Sequence, residues 1–121
     1  MTELIASLRQ SIEAALQGGV PLENIIIDPG LGFGKTWKYD LWIIRRLDEL
    51  KVLKRPILLG PSRKSFIKMV LNVPPEERVE GTAAAVAIGI SKGADIVRVH
   101  DVKAMVRVCK VSDAIIRENS N

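Results

Sequence analysis

The chain has 121 residues, 47% of them hydrophobic and 26% charged, so it can build one core but is too short for two full domains. A net charge of +4 with only 4% aromatic residues does not suggest a nucleic-acid-binding protein, which usually clusters basic and aromatic side chains. No apolar run reaches the length of a transmembrane helix, and the N-terminus lacks the basic start and apolar stretch of a signal peptide.

Predicted helices and strands alternate along the chain. Helical spacing of apolar residues predicts helices over 3–17, 39–51, 64–71, 82–92 and 102–117. Short apolar runs predict strands at 25–27, 57–59 and 96–99, with a loop over 29–38 and a connector over 72–78. Strands that alternate with helices pair in parallel, so the order predicts an α/β fold with a parallel sheet. Three strands suggest part of a larger parallel architecture.

Four of these elements carry more specific expectations. Thr2 is the expected N-cap of the first helix, and the β-branched run 25–27 is typical of a strand buried on both faces. The helix over 82–92 is apolar nearly all round, which predicts cover on two sides. The last helix is expected to bury one stripe: Val102, Met105, Val106 and Cys109.

The single cysteine, Cys109, cannot form an internal disulfide, which fits a reducing cytoplasm. Because it falls within a helical apolar pattern, we interpret it as a small core or interface residue rather than a nucleophile.

Polar, chemically capable residues follow each predicted strand. If the strands are parallel, their carboxyl ends place Asp28, Lys64, Arg98 and His100 along one rim, where α/β proteins hold their active sites.

The glycine-rich segment after the first strand does not match a nucleotide-binding loop. Pro29 occupies the position where a phosphate-binding loop needs its first glycine. Gly30 and Gly32 fit a dinucleotide fingerprint, but Lys35 stands at its third glycine. What remains is a carboxylate at a strand end, followed by a loop that can present Phe33 to a ligand.

Asp28 has two possible roles. Its carboxylate would suit an amidine-like pair of N–H groups, as in a pterin or guanine ring. Alternatively, it caps the loop by accepting hydrogen bonds from backbone N–H groups.

The segment that begins at Gly60 offers a hydroxyl and two cations at a helix start. Ser62, Arg63 and Lys64 suit an anion or a carbonyl group. The alternative is a capped helix with solvated charges.

The third segment contains the only histidine. Strand alternation sends Arg98 and His100 to the same side, where together they could hold a phosphate. Asp101 follows at an expected helix N-cap. The alternative for His100 is a structural hydrogen bond.

Three motifs in order, Asp-Pro-Gly-Leu-Gly-Phe-Gly-Lys from Asp28, Gly-Pro-Ser-Arg-Lys-Ser from Gly60 and Arg-Val-His-Asp-Val from Arg98, closely resemble the C-terminal part of dihydropteroate synthases. The resemblance covers nearly the whole chain. It implies that residues 1–121 form a single partial domain, the C-terminal portion of a (β/α)₈ barrel, with about three β/α units that supply strands six to eight.

The resemblance also implies a reaction in folate biosynthesis. Dihydropteroate synthases join 6-hydroxymethyl-7,8-dihydropterin pyrophosphate to p-aminobenzoate, with Mg²⁺, and release 7,8-dihydropteroate and pyrophosphate. Asp28 would read the pterin N–H edge, and Lys64 would reach the pterin. Arg98 and His100 would grip the pyrophosphate. The remaining substrate-binding positions would be Gly32, Phe33, Gly60, Ser62 and Arg63, of which Phe33, Ser62 and Arg63 would line the aryl pocket that sulfonamides also occupy.

The first five strands of such a barrel, which carry the metal-associated Asn, have no counterpart in these residues. We therefore expect no metal ligand here, no activity of this chain alone, and self-association. A homodimer would form through the helix at 82–92 or through the open edge of the sheet. The alternative function is a binding module for pterin or phosphate without turnover.

Overall fold

Helices and parallel strands alternate along the chain, as the sequence predicts. The computed structural model describes residues 1–32 and 36–117. Its α-helices are α1 (Thr2–Gln17), α2 (Trp37–Arg45), α3 (Ser65–Leu71), α4 (Val79–Ser91) and α5 (Val102–Ile116). Its strands are β1 (Leu58–Leu59) and β2 (Ile96–Val97), and 3₁₀ turns lie at Leu22–Asn24, Leu47–Leu53 and Pro75–Glu77.

The strands pair in parallel and bring distant segments side by side. Leu58 of β1 lies opposite Ile96 of β2, and a parallel bridge joins Ile27 to Ile57 on the other side of β1. The order across the sheet is therefore Ile27, β1, β2. Because the three segments run in the same direction, the residues that follow them emerge at one edge.

The first predicted strand is reduced to a single bridging residue, and the prediction that it is buried on both faces is wrong. Ile25 and Ile27 are buried, but the side chain of Ile26 is 50% exposed. Side chains alternate across a strand, so Ile26 points away from Ile25 and Ile27 to the opposite face. No described residue covers that face enough to bury Ile26.

Helix α2 begins two residues before the predicted start and ends at Arg45. The hydroxyl of Thr36 accepts a hydrogen bond from the N–H of Tyr39 (3.3 Å), which caps the helix within the predicted loop. The 3₁₀ turn Leu47–Leu53 replaces the second half of the predicted helix, and Leu47 and Leu50 are fully buried there.

The other helices differ from the predictions at their ends and in one face. Thr2 is the first residue of α1 rather than its cap, and α4 begins at Val79.

Met105 of α5 is buried against Val86 and Ile90 of α4. Two members of the predicted stripe, Val102 and Val106, are 58% and 46% exposed, so the buried stripe of α5 is displaced around the helix. Helix α4 contacts α2, α3 and α5.

Within residues 1–32 and 36–117, no helix is long and apolar enough to cross a membrane.

Candidate active site

A cavity of about 750 Å³ opens at the carboxyl ends of the three parallel segments. The four side chains predicted to share one rim all line it: Asp28, Lys64, Arg98 and His100. Gly60, Ser62 and Arg63 line it as well. Phe33 lies outside the described residues. Asp28 and His100 are 72 positions apart in the sequence, so the cavity brings together polar side chains from distant parts of the chain.

Asp28 makes one hydrogen bond of the loop-capping kind that the sequence left open as an alternative to ligand binding. Its Oδ1 accepts a hydrogen bond from the N–H of Gly30 at 2.8 Å, which closes a tight turn after Ile27. Among the described residues, the structure gives Asp28 no further hydrogen bond. Because the side chain is exposed and lines the cavity, Oδ2 stands available to a ligand.

Lys64 crosses directly over Gly32. A Cβ atom on Gly32 would lie 3.2 Å from Lys64 Cδ and 3.6 Å from Nζ, and the φ of Gly32 is +83°. A side chain at this position would both displace the lysine and strain the backbone. The glycine thus lets the Lys64 side chain lie against the loop at Gly32, two residues after the turn that Asp28 closes.

Asp40 holds the backbone at Gly32 and was not among the predicted site residues. It is 1% exposed in α2, and its Oδ1 accepts a hydrogen bond from the N–H of Gly32 at 3.1 Å. Burial raises the pKa of the Asp40 carboxyl, while the Gly32 hydrogen bond and the nearby Lys64 ammonium lower it in part. The sequence contained a sign of this role. Asp40 lies four residues before Ile44, on the same face of the predicted helix, so a carboxylate stands on the apolar face of that helix.

Arg63 is held in an uncommon backbone conformation by residues from α4 and the connector before it. Its φ is +55°, which is rare outside glycine. Its N–H donates to Thr82 Oγ1 at 3.1 Å, and its carbonyl accepts from Arg78 Nη1 at 2.9 Å. Arg78 also donates to the carbonyl of Val73. The sequence pattern, which placed Thr82 in an apolar helix and Arg78 in a connector, indicated neither role.

The side chain of Arg63 forms a two-pronged ion pair with Asp101. The distances are 3.0 Å from Nη2 to Oδ1 and 3.4 Å from Nε to Oδ2. The hydrogen bond with Asp101 raises the pKa of the Arg63 guanidinium. Asp101 stands at the N-cap of α5 as predicted, but its side chain makes no capping hydrogen bond. The charge of Arg63 is thereby balanced within the protein.

Arg98 and His100 border the cavity from the segment after β2. The N–H of Arg98 donates to the carbonyl of Leu59 at 3.0 Å, which fixes its backbone beside β1. A Cβ on Gly60 would lie 3.9 Å from Arg98 Cβ, an ordinary van der Waals distance, so contact with Arg98 does not itself require a glycine there. His100 Nδ1 lies 2.8 Å from Ser62 Oγ, so the structural hydrogen bond considered for this histidine is present.

The residues at the cavity favour an anion and do not fit a resident divalent cation. Among the described residues that line it, Asp28 is the only acidic one, against Lys64, Arg98 and an Arg63 whose charge Asp101 balances. Within the part of the chain that the structure describes, no cluster of three or more His, Cys, Asp or Glu residues could hold a metal ion. Magnesium requires several oxygen ligands, which this site does not supply.

Two other features lie apart from this chemistry. A groove of about 510 Å³ between α2, α3 and α4 is lined mainly by apolar side chains. Cys109 is partly buried in α5, and burial raises the pKa of its thiol, which opposes thiolate formation.

The fold and the cavity together define an α/β protein with an anion-favouring site at the carboxyl ends of parallel strands. A family model described as pterin binding enzyme matches residues 1–100. The chain belongs to this pterin-binding family.

Three relatives share most of this chain. The dihydropteroate synthase of Bacillus subtilis is 47% identical over 118 residues, which cover 98% of this chain and 41% of that protein. A Coxiella burnetii dihydropteroate synthase solved in complex with pteroic acid superimposes with a TM-score of 0.93 at 36% identity, covering 98% of this chain and 44% of that one. A Yersinia pestis dihydropteroate synthase solved with a sulfonamide drug gives a TM-score of 0.92 at 37% identity, covering 95% and 43%. The chain thus spans about two fifths of the length of these relatives.

Proposed function

We propose that this chain carries the pterin- and pyrophosphate-binding part of a dihydropteroate synthase. The full reaction would join 6-hydroxymethyl-7,8-dihydropterin pyrophosphate to p-aminobenzoate and release pyrophosphate. The observation that carries the proposal is the convergence of Asp28, Lys64, Arg98 and His100 on one cavity. The segments at Ile27, β1 and β2 would correspond to strands six to eight of a (β/α)₈ barrel.

Each group suits one part of this chemistry. The exposed oxygen of Asp28 can accept hydrogen bonds from the N–H edge of a pterin ring, beside the Lys64 ammonium. Arg98 and His100 can bind the departing pyrophosphate. As the carbon–oxygen bond at the pterin CH₂ breaks, negative charge builds on the leaving group, and donors placed there lower the barrier.

The arylamine substrate explains why the proposed site needs no strong base. An aromatic amine is already neutral near pH 7, so it can attack without prior deprotonation. The carbon–nitrogen bond forms as the carbon–oxygen bond to pyrophosphate breaks, and the extra proton on nitrogen then passes to water or to the released pyrophosphate. Arg63 and Ser62 would border the aryl ring of p-aminobenzoate or of a sulfonamide, together with Phe33. The hydroxyl of Ser62 is already bonded to His100, so its contact with the ring would be through carbon atoms.

Magnesium stays a prediction of the family resemblance. Because the described residues do not form a site for it, it would have to arrive with the pyrophosphate, and we assign it no step. The cytoplasmic location likewise stays a prediction that rests on the single cysteine.

We further propose that the 121-residue chain alone binds ligands without turnover, because it spans about two fifths of the length of its relatives. The test is calorimetric titration with the pterin pyrophosphate and with inorganic pyrophosphate, followed by an assay for pyrophosphate release with p-aminobenzoate present. We expect saturable binding of both ligands and no release. Absence of binding for both would contradict the proposed site, and formation of dihydropteroate would contradict the proposed inactivity.

Self-association is the last part of the proposal. Two surfaces support it: the open edge of the sheet at residues 25–27, where the side chain of Ile26 is 50% exposed, and the apolar groove beside Ile88 of α4, which is also 50% exposed. A chain that exposes apolar surfaces of this kind tends to bury them against another copy.

A further inference from the structure

Ser62 makes two hydrogen bonds with the same histidine. Its Oγ lies 2.8 Å from the ring nitrogen Nδ1 of His100 and 3.0 Å from the backbone nitrogen of His100. Ser62 is 5% exposed, so its hydroxyl has little access to water. The two bonds join the loop after β1 to the loop after β2 at the rim of the cavity.

The direction of each bond follows from counting hydrogens. The backbone N–H of His100 can only donate, so Ser62 Oγ accepts from it. The hydroxyl hydrogen of Ser62 then needs an acceptor of its own. Among the described residues, the structure pairs Ser62 Oγ with no group besides these two nitrogens, so Nδ1 is the acceptor.

The opposite arrangement is disfavoured. If Nδ1 carried the hydrogen and donated it to Ser62, the buried hydroxyl hydrogen would have no acceptor. A buried donor without a partner loses its hydration and gains nothing in return. The hydrogen-bond count therefore decides between the two tautomers of a neutral imidazole.

We infer that Ser62 is a positioning residue that holds neutral His100 in the tautomer with its hydrogen on Nε2. The ring nitrogen left for a ligand is then an N–H donor, which suits an anionic oxygen. The structure gives Nε2 no hydrogen-bond partner within residues 1–32 and 36–117, and His100 lines the cavity beside Arg98. Ser62 would contribute to anion binding without touching the anion.

The chain contains one histidine, so a ¹⁵N NMR spectrum of its imidazole needs no assignment. We would record it at a pH of about 8.5, where an ordinary imidazole is neutral. We expect Nε2 to give the signal of a protonated ring nitrogen and Nδ1 that of an unprotonated one. Ser62→Ala should give a mixture of both tautomers, and Ser62→Thr, which keeps the hydroxyl, should match the natural protein. Ser65→Ala, an exposed serine three residues away, is the matched control.

A hydrogen on Nδ1 in the natural protein would overturn the inference, as would a Ser62→Ala spectrum with unchanged tautomer populations. If Ser62→Ala does not fold, the natural protein and Ser62→Thr decide the question, because protonated Nδ1 in either one contradicts it.

A second measurement tests whether Ser62 contributes to anion binding through His100. This part of the inference rests on the proposed function. Titration of the 121-residue chain with inorganic pyrophosphate should show several-fold weaker binding for Ser62→Ala and little change for Ser62→Thr. Equal affinities for all three proteins would remove the link between Ser62 and anion binding. A correct tautomer without any pyrophosphate binding would contradict the proposed function but not the assignment of the tautomer.

Discussion

The Asp40 carboxylate accepts a hydrogen bond from the N–H of Gly32 at 3.1 Å, although Asp40 lies in α2 and Gly32 in the loop before it. This contact connects the core to the rim of the cavity. The Lys64 side chain packs against Gly32, so the position of its ammonium depends on a stretch of backbone that Asp40 holds. Within the described residues, the second oxygen of Asp40 is buried without a hydrogen-bond partner.

Replacing Asp40 by asparagine should raise the free energy of unfolding near pH 7. The amide oxygen can still accept from Gly32, and the free-energy cost of a buried charge disappears. The amide nitrogen would take the position of Oδ2, which has no partner among the described residues, but an unpaired neutral donor costs less than an unpaired charge. Burial raises the pKa of Asp40 above its ordinary value of 3.8, so the folded state loses stability as the pH rises from that value through the folded pKa. The gain should be on the order of 1 kcal/mol at neutral pH and should shrink toward about pH 3.

Chemical denaturation at both pH values measures this difference, with Asp48→Asn as the control for an exposed aspartate. A destabilised Asp40→Asn protein at neutral pH would show that the charge of Asp40, through Lys64, contributes more than its burial costs.

Thr82→Val should destabilise the protein and weaken ligand binding. Valine keeps the shape of threonine but cannot accept the hydrogen bond from the N–H of Arg63, whose left-handed backbone depends on such contacts. A buried N–H without a partner costs about 1–3 kcal/mol. Thr82→Ser keeps the acceptor and should lose less. Unfolding curves and pyrophosphate titrations of both variants check this, and equal behaviour of the two would argue that packing, not the hydroxyl, matters.

Gly89→Ala should destabilise the protein even though alanine favours helices. A Cβ on Gly89 would clash with Leu59 Cδ2, so either the fully buried Leu59 side chain or α4 would have to shift. Overpacking costs about 1–3 kcal/mol, and because Leu59 is fully buried we expect a cost in the upper part of that range, above the gain of about 1 kcal/mol from helix propensity. The double variant with Leu59→Ala tests the cause. Its loss of unfolding free energy should be smaller than the sum of the two single losses.

Under the proposed function, Asp28→Asn and Arg98→Ala should separate the two halves of the substrate. The Asp28 variant should bind the pterin pyrophosphate at least about tenfold more weakly and inorganic pyrophosphate normally, because its amide presents a donor where an acceptor is needed. The Arg98 variant should lose affinity for both ligands, since both contain the pyrophosphate. Calorimetric titration measures the affinity of each variant for each of the two ligands. Lys103→Ala, at an exposed residue of α5, is the control. Equal losses for both ligands in both variants would contradict the assigned roles.

Two isoleucines should distinguish the two proposed surfaces of self-association. Ile26→Lys places a charge in the segment that forms the open edge of the sheet, and Ile88→Lys places one in the groove between helices. The variant that lowers the mass measured by light scattering identifies the interface. Ile115 of α5, which is 77% exposed, supplies the control Ile115→Lys. A natural protein that is monomeric at all concentrations would contradict self-association itself.

Local sequence patterns were sufficient to predict the order of helices and strands along the chain. Helical spacing of apolar residues located five helices, and the short runs at 25–27, 57–59 and 96–99 located the parallel segments, because these patterns depend on neighbours a few residues apart. The ends were less accurate. Helix α2 begins at Trp37, inside a predicted loop, and α4 begins at Val79, just after a predicted connector, since the sequence alone does not show which potential cap is used.

The sequence by itself determined the chemistry available to this protein: a carboxylate, a lysine, an arginine and a histidine that each follow an apolar run. Only the tertiary structure decided which of them meet and what supports them. The pairs Gly32–Asp40, Arg63–Thr82 and Ser62–His100 join residues 8, 19 and 38 positions apart. Such contacts leave no periodic pattern in the chain, because they depend on how helices and strands pack rather than on local spacing.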